Sequence, residues 1–175
     1  MWPVNRDMAP DFCLRSIQGP EIRLSDYRGR HHVILWFSRG FTCSCCRSYM
    51  QRIIDPYNLL ADEGFEVLQV APNLFDTAQR YFDPQLPYPF LCDPVKRLYA
   101  VYGLGDRGVM SAMGNTLVTF DHAFAHGQGA ETVRASWLDM ANRNFVSRLN
   151  HQALTAMDRA VIVIDRDGVI RSRTH

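Results

Sequence analysis

Lysine is almost missing from this chain: of 19 basic residues, only Lys96 is a lysine. Arginine is therefore the default cation, and a single arginine carries functional weight only through its sequence context. An excess of one charge is missing too. Formal net charge is +1, with no block of like charges, so nucleic acid and anionic membranes are not expected as partners. Apolar runs reach only about five residues, against about 20 for a membrane span. The opening MWPVNRDMAP holds no apolar h-region and no cleavage motif, so no export signal is expected and the cytoplasm is the expected location. Cysteine is sparse, five in 175 residues. In a reducing compartment, thiols that cluster point to catalysis or metal binding rather than a disulfide framework.

What is present is a cluster. Residues 38–47 read SRGFTCSCCR and bring together Cys43, Cys45 and Cys46. They follow the apolar run Val33-Ile34-Leu35-Trp36-Phe37 and precede a stretch with helical spacing, Met50, Ile53, Ile54 and Tyr57. A thiol reacts as its thiolate, and a free cysteine of pKa about 8.5 is only a few per cent ionised at neutral pH. A turn between strand and helix puts sulfur beside unpaired N–H groups at the positive end of the helix dipole. Redox chemistry at sulfur is the leading expectation.

At 175 residues with 47% hydrophobic content, the chain is expected to form one domain, 1–175, with a real core. Residues 11–17 and 21–24 predict two short extended pieces, with turns at 18–20 and 25–29. Residues 33–37 and 65–71 predict buried strands. Residues 44–61 predict a helix that Pro56 kinks or breaks and Gly64 ends. Shorter helices are expected over 76–82 and 93–102, with a proline-rich loop over 84–89 between them. Residues 161–164 and 169–170 predict a hairpin around Asp165-Arg166-Asp167-Gly168. Strands alternating with helices, then a hairpin, predict an α/β fold with a central mixed β-sheet flanked by helices. An insertion at about 106–158 interrupts this plan. In its second half Val133, Trp137, Ala141, Phe145 and Leu149 recur at four-residue steps, which predicts an amphipathic helix over 131–157.

Several segments, in this order, make the chain similar to the peroxiredoxins of the alkyl hydroperoxide reductase and thiol-specific antioxidant group. They are APDF at 9–12, LSDYRGR at 24–30, VILWF at 33–37, the cysteine loop, FEVLQVAPN at 65–73, YPFLCDPVKRLYAVYGL at 88–104 and DRAVIVIDRDGVIR at 158–171. The resemblance implies a thioredoxin-like fold, a helical insertion before the final hairpin, and a thiol peroxidase cycle. It implies a small peroxide substrate, an external dithiol reductant such as a thioredoxin-like protein, and no cofactor or metal.

Two registers fit the cysteine loop. In the peroxiredoxin pattern, proline is followed by threonine four residues on and by the peroxidatic cysteine three later. That register selects Thr42 and Cys45 and leaves Ser38 where the proline belongs. A CxxC pattern following an arginine-glycine turn selects Cys43 and Cys46 instead, accounts for Arg39-Gly40 and Arg47, and is preferred, with Cys45 as competitor. By the same resemblance Arg159, at the start of a late strand, approaches the reactive sulfur, whereas thioredoxin-like oxidoreductases usually carry a cis-proline there. Thr42 would hydrogen-bond the sulfur or peroxide, or cap the helix.

Other candidates attract plainer readings. Three clustered cysteines could hold zinc or copper only with further ligands, and His122 and His126 read as loop residues. His31 and His32 read as surface residues. Cys13 and Cys92 read as buried apolar fillers, with Cys92 also weighed as a distant resolving thiol. Relatives usually continue past the hairpin into a helix that covers one sheet face. Segment 131–157, or a second copy of the chain in a homodimer, is expected to cover it here. The rival enzyme is a thiol–disulfide oxidoreductase using Cys43 and Cys46; the non-enzyme rival is a metal-binding or redox-sensing module.

Overall fold

The computed structural model describes residues 6–39, 44–81, 86–105 and 158–174, with backbone alone over 44–48 and 80–81. An antiparallel pair, β1 (Cys13–Arg15) and β2 (Glu21–Arg23), leads through a 3-10 turn at Leu24–Tyr27 into β3 (His32–Phe37). Next come α1 (Ser44–Ile54), α2 (Tyr57–Asp62), β4 (Phe65–Ala71), α3 (Phe75–Tyr81), β5 (Phe90–Cys92), α4 (Arg97–Val101), β6 (Ala160–Ile164) and β7 (Ile170–Thr174).

The main sheet has five strands in the order β5-β4-β3-β6-β7. β3 runs parallel to β4 and antiparallel to β6, and β4 runs parallel to β5. The sheet is therefore mixed, as the segment pattern predicts. β3 is central, and its continuous apolar run reflects burial on both faces. On one face Val33, Leu35, Phe37, Leu68, Val70, Ile162 and Ile164 join Leu98, Tyr99 and Tyr102 from α4 and the loop after it. On the other, Trp36, Ala71, Phe90 and Cys92 meet Met50 of α1 and Ala78 of α3. The thiol-bearing helix thus sits on the second face, anchored through Met50.

Local chemistry explains the element ends. Pro56 brings no N–H and separates α1 from α2. Gly64 closes α2 at φ +79, a left-handed backbone that favours glycine; an added Cβ would also displace the Arg166 guanidinium, whose Nη2 lies 2.7 Å away.

Three expectations are corrected and one strand is added. Residues 11–17 form a strand only over Cys13–Arg15. The expected helix over 93–102 is shorter because Asp93 turns its carboxylate back onto the helix. Asp93 accepts from the N–H groups of Arg97 (3.1 Å), Leu98 (2.7 Å) and Tyr99 (3.4 Å), and Lys96 takes a left-handed φ of 58. Phe90–Cys92 forms a strand that the proline-flanked sequence hides. Cys13, read as a buried filler, is exposed, its Sγ 3.8 Å from Glu21 Oε2, because β1 pairs only with β2 and stands outside the main sheet. The expected helix over 131–157 lies outside the described residues.

Candidate active site

The parallel strands β3, β4 and β5 end at one edge of the sheet, and the thiol loop leaves from that edge after Ser38. Ligand sites in such sheets form beyond the carboxyl ends of the strands. Cys45 and Cys46 are the second and third residues of α1. Their backbone N–H groups therefore belong to the unpaired set at a helix start. No acidic residue stands in that first turn to offset the dipole. Thr42 and Cys43 lie outside the described residues, as do the side chains of Cys45 and Cys46.

Arg159 reaches this helix from the far end of the chain. Ala160 pairs with Phe37, which sets Arg159 beside the point where β3 gives way to Ser38. The side chain is exposed, and its guanidinium carbon lies 5.8 Å from the centre of the Tyr49 ring. Tyr49 lies three and four positions after Cys46 and Cys45, the spacing that shares one helical face. Arg52 approaches the same ring at 5.6 Å. Tyr49 is thus flanked by two cations, each in a cation–π contact.

Ser38 is held on every side. Its N–H donates to Val70 O at 2.9 Å, and its hydroxyl lies 3.3 Å from the same oxygen. Gln69 Nε2 donates to Ser38 Oγ at 3.0 Å, and the Tyr88 hydroxyl donates to Gln69 Oε1 at 3.2 Å. From the opposite face, the Tyr99 hydroxyl bonds the Ser38 carbonyl and lies 3.0 Å from Val70 O. Burial pushes the Tyr88 hydroxyl pKa well above the ordinary value, so it stays a donor. Sequence reasoning noticed Ser38 only as a missing proline. Gln69, one of two polar residues inside FEVLQVA and fully buried, is the sequence signal for this contact.

Cys92, at the end of β5, is 8% exposed, and burial pushes its thiol up to about 12. It behaves as the filler expected from sequence and is poorly suited to resolving chemistry at neutral pH. Asn73, two residues past β4, has a buried Oδ1 that accepts no hydrogen bond from the described residues. Among the described residues there is no group of three or more metal-ligating side chains. None of the described helices is long and apolar enough to cross a membrane.

The model of the AhpC/TSA family matches residues 6–173. This chain belongs to that family. Among curated relatives it is 30% identical over 102 residues to the thiol-disulfide oxidoreductase ResA of Geobacillus thermodenitrificans, covering 55% of this chain and 56% of that protein. It is 29% identical over 106 residues to Peroxiredoxin 2 of Caldanaerobacter subterraneus subsp. tengcongensis, covering 55% and 46%. The chain spans about half the length of these two relatives. Among solved structures it resembles the peroxidoxin BcpB of Mycobacterium tuberculosis, with a TM-score of 0.61, 15% identity, and 98% of this chain and 85% of that one covered. The thioredoxin-like fold of the peroxiredoxins, expected from the segment order, is the fold found.

Proposed function

We propose that this AhpC/TSA-family protein is a thiol-dependent peroxidase that reduces hydrogen peroxide or organic hydroperoxides. The observation that carries the reading is the reach of Arg159 to Tyr49, one turn along from Cys45 and Cys46 on the helix whose first turn holds them. A guanidinium there favours the thiolate and stabilises the oxygen anion that leaves when O–O breaks. The thiolate attacks the terminal oxygen, the O–O bond breaks, and the departing alkoxide or hydroxide takes a proton. Sulfur is left as sulfenic acid. A second cluster thiol attacks that sulfur and expels water, giving a redox-active disulfide, which an external dithiol reduces by exchange. Cys43, Cys45 and Cys46 share the attacking and resolving roles. Arg159 is the electrostatic partner, and Thr42 donates to the sulfur or peroxide.

A thiol–disulfide oxidoreductase using Cys43 and Cys46 is the second reading, favoured by the 30% identity to ResA. The sequence carries no proline at 158–160, where such oxidoreductases usually have one, and this favours the peroxidase. We further assign residues 1–175 to one domain with an insertion at about 106–158, acting in the cytoplasm as a homodimer.

The test is a direct comparison of two activities of the full chain. Peroxide consumption supported by a thioredoxin-like dithiol should exceed reduction of insulin disulfides. Insulin reduction without peroxide consumption would transfer the assignment to the second reading.

A further inference from the structure

One more structural element serves the same site. The buried side chains of Tyr88, Gln69 and Ser38 form a continuous line of hydrogen bonds, tyrosine hydroxyl to carboxamide to serine hydroxyl, at 3.2 and 3.0 Å. Gln69 is fully buried, Tyr88 is 1% exposed and Ser38 is 4% exposed. A carboxamide in the middle of a sheet core is costly unless both its ends are bonded, and here both are. A leucine or valine would fill that volume without hydrogen bonds, so packing alone does not ask for glutamine.

What the line holds is informative. Ser38 is the last residue before the thiol loop. It follows Phe37, whose strand partner Ala160 directly succeeds Arg159. The position of Ser38 therefore sets where the loop departs relative to that guanidinium. A proline, which the peroxiredoxin register expects here, could neither donate its N–H to Val70 nor accept from Gln69. The chain has replaced a ring constraint with a set of hydrogen bonds.

We propose that Gln69 and Tyr88 are positioning residues: they clamp Ser38 and so fix where the chain leaves β3, beside Arg159, for the thiol loop. This rests on the reading of the cluster as reactive thiols, and it assigns to two residues outside the loop a part in tuning them. The clamp reaches the loop through Ser38, so Gln69 and Tyr88 need not touch substrate.

The test is the pH dependence of iodoacetamide alkylation of the cluster, read by mass spectrometry in the full-length protein. The variants are Gln69→Met, which keeps the volume and loses the hydrogen bonds, and Tyr88→Phe, which removes one hydroxyl. Both should raise the alkylation midpoint towards the ordinary thiol value of about 8.5. Thiolate at pH 7 should fall by up to about ten-fold for each unit of rise. Ser38→Ala, which removes only the hydroxyl, should move the midpoint the same way. Variants with lowered thermal stability but the wild-type midpoint would overturn the proposal, leaving the line a plain core contact. If Gln69→Met does not fold, Tyr88→Phe and Ser38→Ala still decide it. Because midpoints are compared, the outcome stands even if the wild type consumes no peroxide, a result that would count against the peroxidase reading alone.

Discussion

Replacing Arg159 with glutamine should raise the pKa of the attacking thiol by about one unit, and the size follows from what the rest of the site can supply. Lowering a thiol from about 8.5 to about 6 requires roughly 3.4 kcal/mol. The amino end of α1, with no acidic residue in its first turn, contributes about 0.3–1 kcal/mol and at most about 2. Roughly 1.4–3 kcal/mol is left for a neighbouring cation, equivalent to about 1–2 pKa units. Arg159 is exposed, so water and salt screen it and the lower end applies. In Arg159→Gln the alkylation midpoint should rise by about one unit, so that below the midpoint the thiolate fraction at a given pH falls by up to about ten-fold. Alkylation rate against pH, followed by mass spectrometry, reads this directly. Raising salt to about 1 M, where the Debye length is about 3 Å, should move the wild type in the same direction and leave the variant nearly unchanged. Arg166→Gln, at the turn beyond the other end of β6, serves as control and should have no effect. Coincident midpoints for wild type and Arg159→Gln would refute the electrostatic argument.

Cys92 should remain unalkylated from pH 7 to 9 in the folded protein, its thiol held up at about 12 by burial, and should react only on unfolding. Cys92→Ala should accordingly leave peroxide turnover unchanged while lowering the unfolding midpoint in urea. Asp93→Ala should destabilise by about 1–3 kcal/mol, measured by denaturant unfolding, because three helix N–H groups lose a charged acceptor. Asp165 should show in acid. Slight desolvation raises its pKa, but the Val169 N–H, the Arg171 guanidinium and the Asp167 N–H outweigh that and hold it below the usual value. Its contribution is present above the unfolded carboxylate pKa and fades as pH falls through the folded one. Asp165→Asn should flatten that part of the acid limb in a stability-versus-pH series.

Much of this fold is legible in the sequence, and the exceptions share a cause. β4 occupies the residues expected, Phe65–Ala71, because a mostly apolar run rich in β-branched and aromatic residues, bounded by Gly64 and Pro72, leaves little choice. The break at Pro56 is equally direct, since the lost N–H is a local property. β5 is not legible. It has three residues after a run of prolines, and only pairing with β4 makes it a strand. α4 starts later than its pattern because the capping carboxylate of Asp93 sits four residues before Arg97, outside the usual cap position. The exposure of Cys13 follows from its strand pairing in a separate two-stranded sheet, which no periodicity records. For the candidate site, the sequence singles out the thiol cluster and Arg159, whose chemistry is carried by residue type and context. The grip on Ser38 is different. It joins Tyr88, Gln69 and Tyr99 across 61 positions of chain at the widest, and such convergence emerges only when the strands are laid side by side.

The measurement that bears most directly on the account is tandem mass spectrometry of the reduced protein after one equivalent of hydrogen peroxide, with a sulfenic-acid trap present. The trap should mark one of Cys43, Cys45 and Cys46 within the first turnover. Without the trap a disulfide should join two of those three, while Cys13 and Cys92 stay reduced. Oxidation that falls first on the exposed Cys13, or that proceeds at the cluster no faster than at a free thiol, would contradict the account.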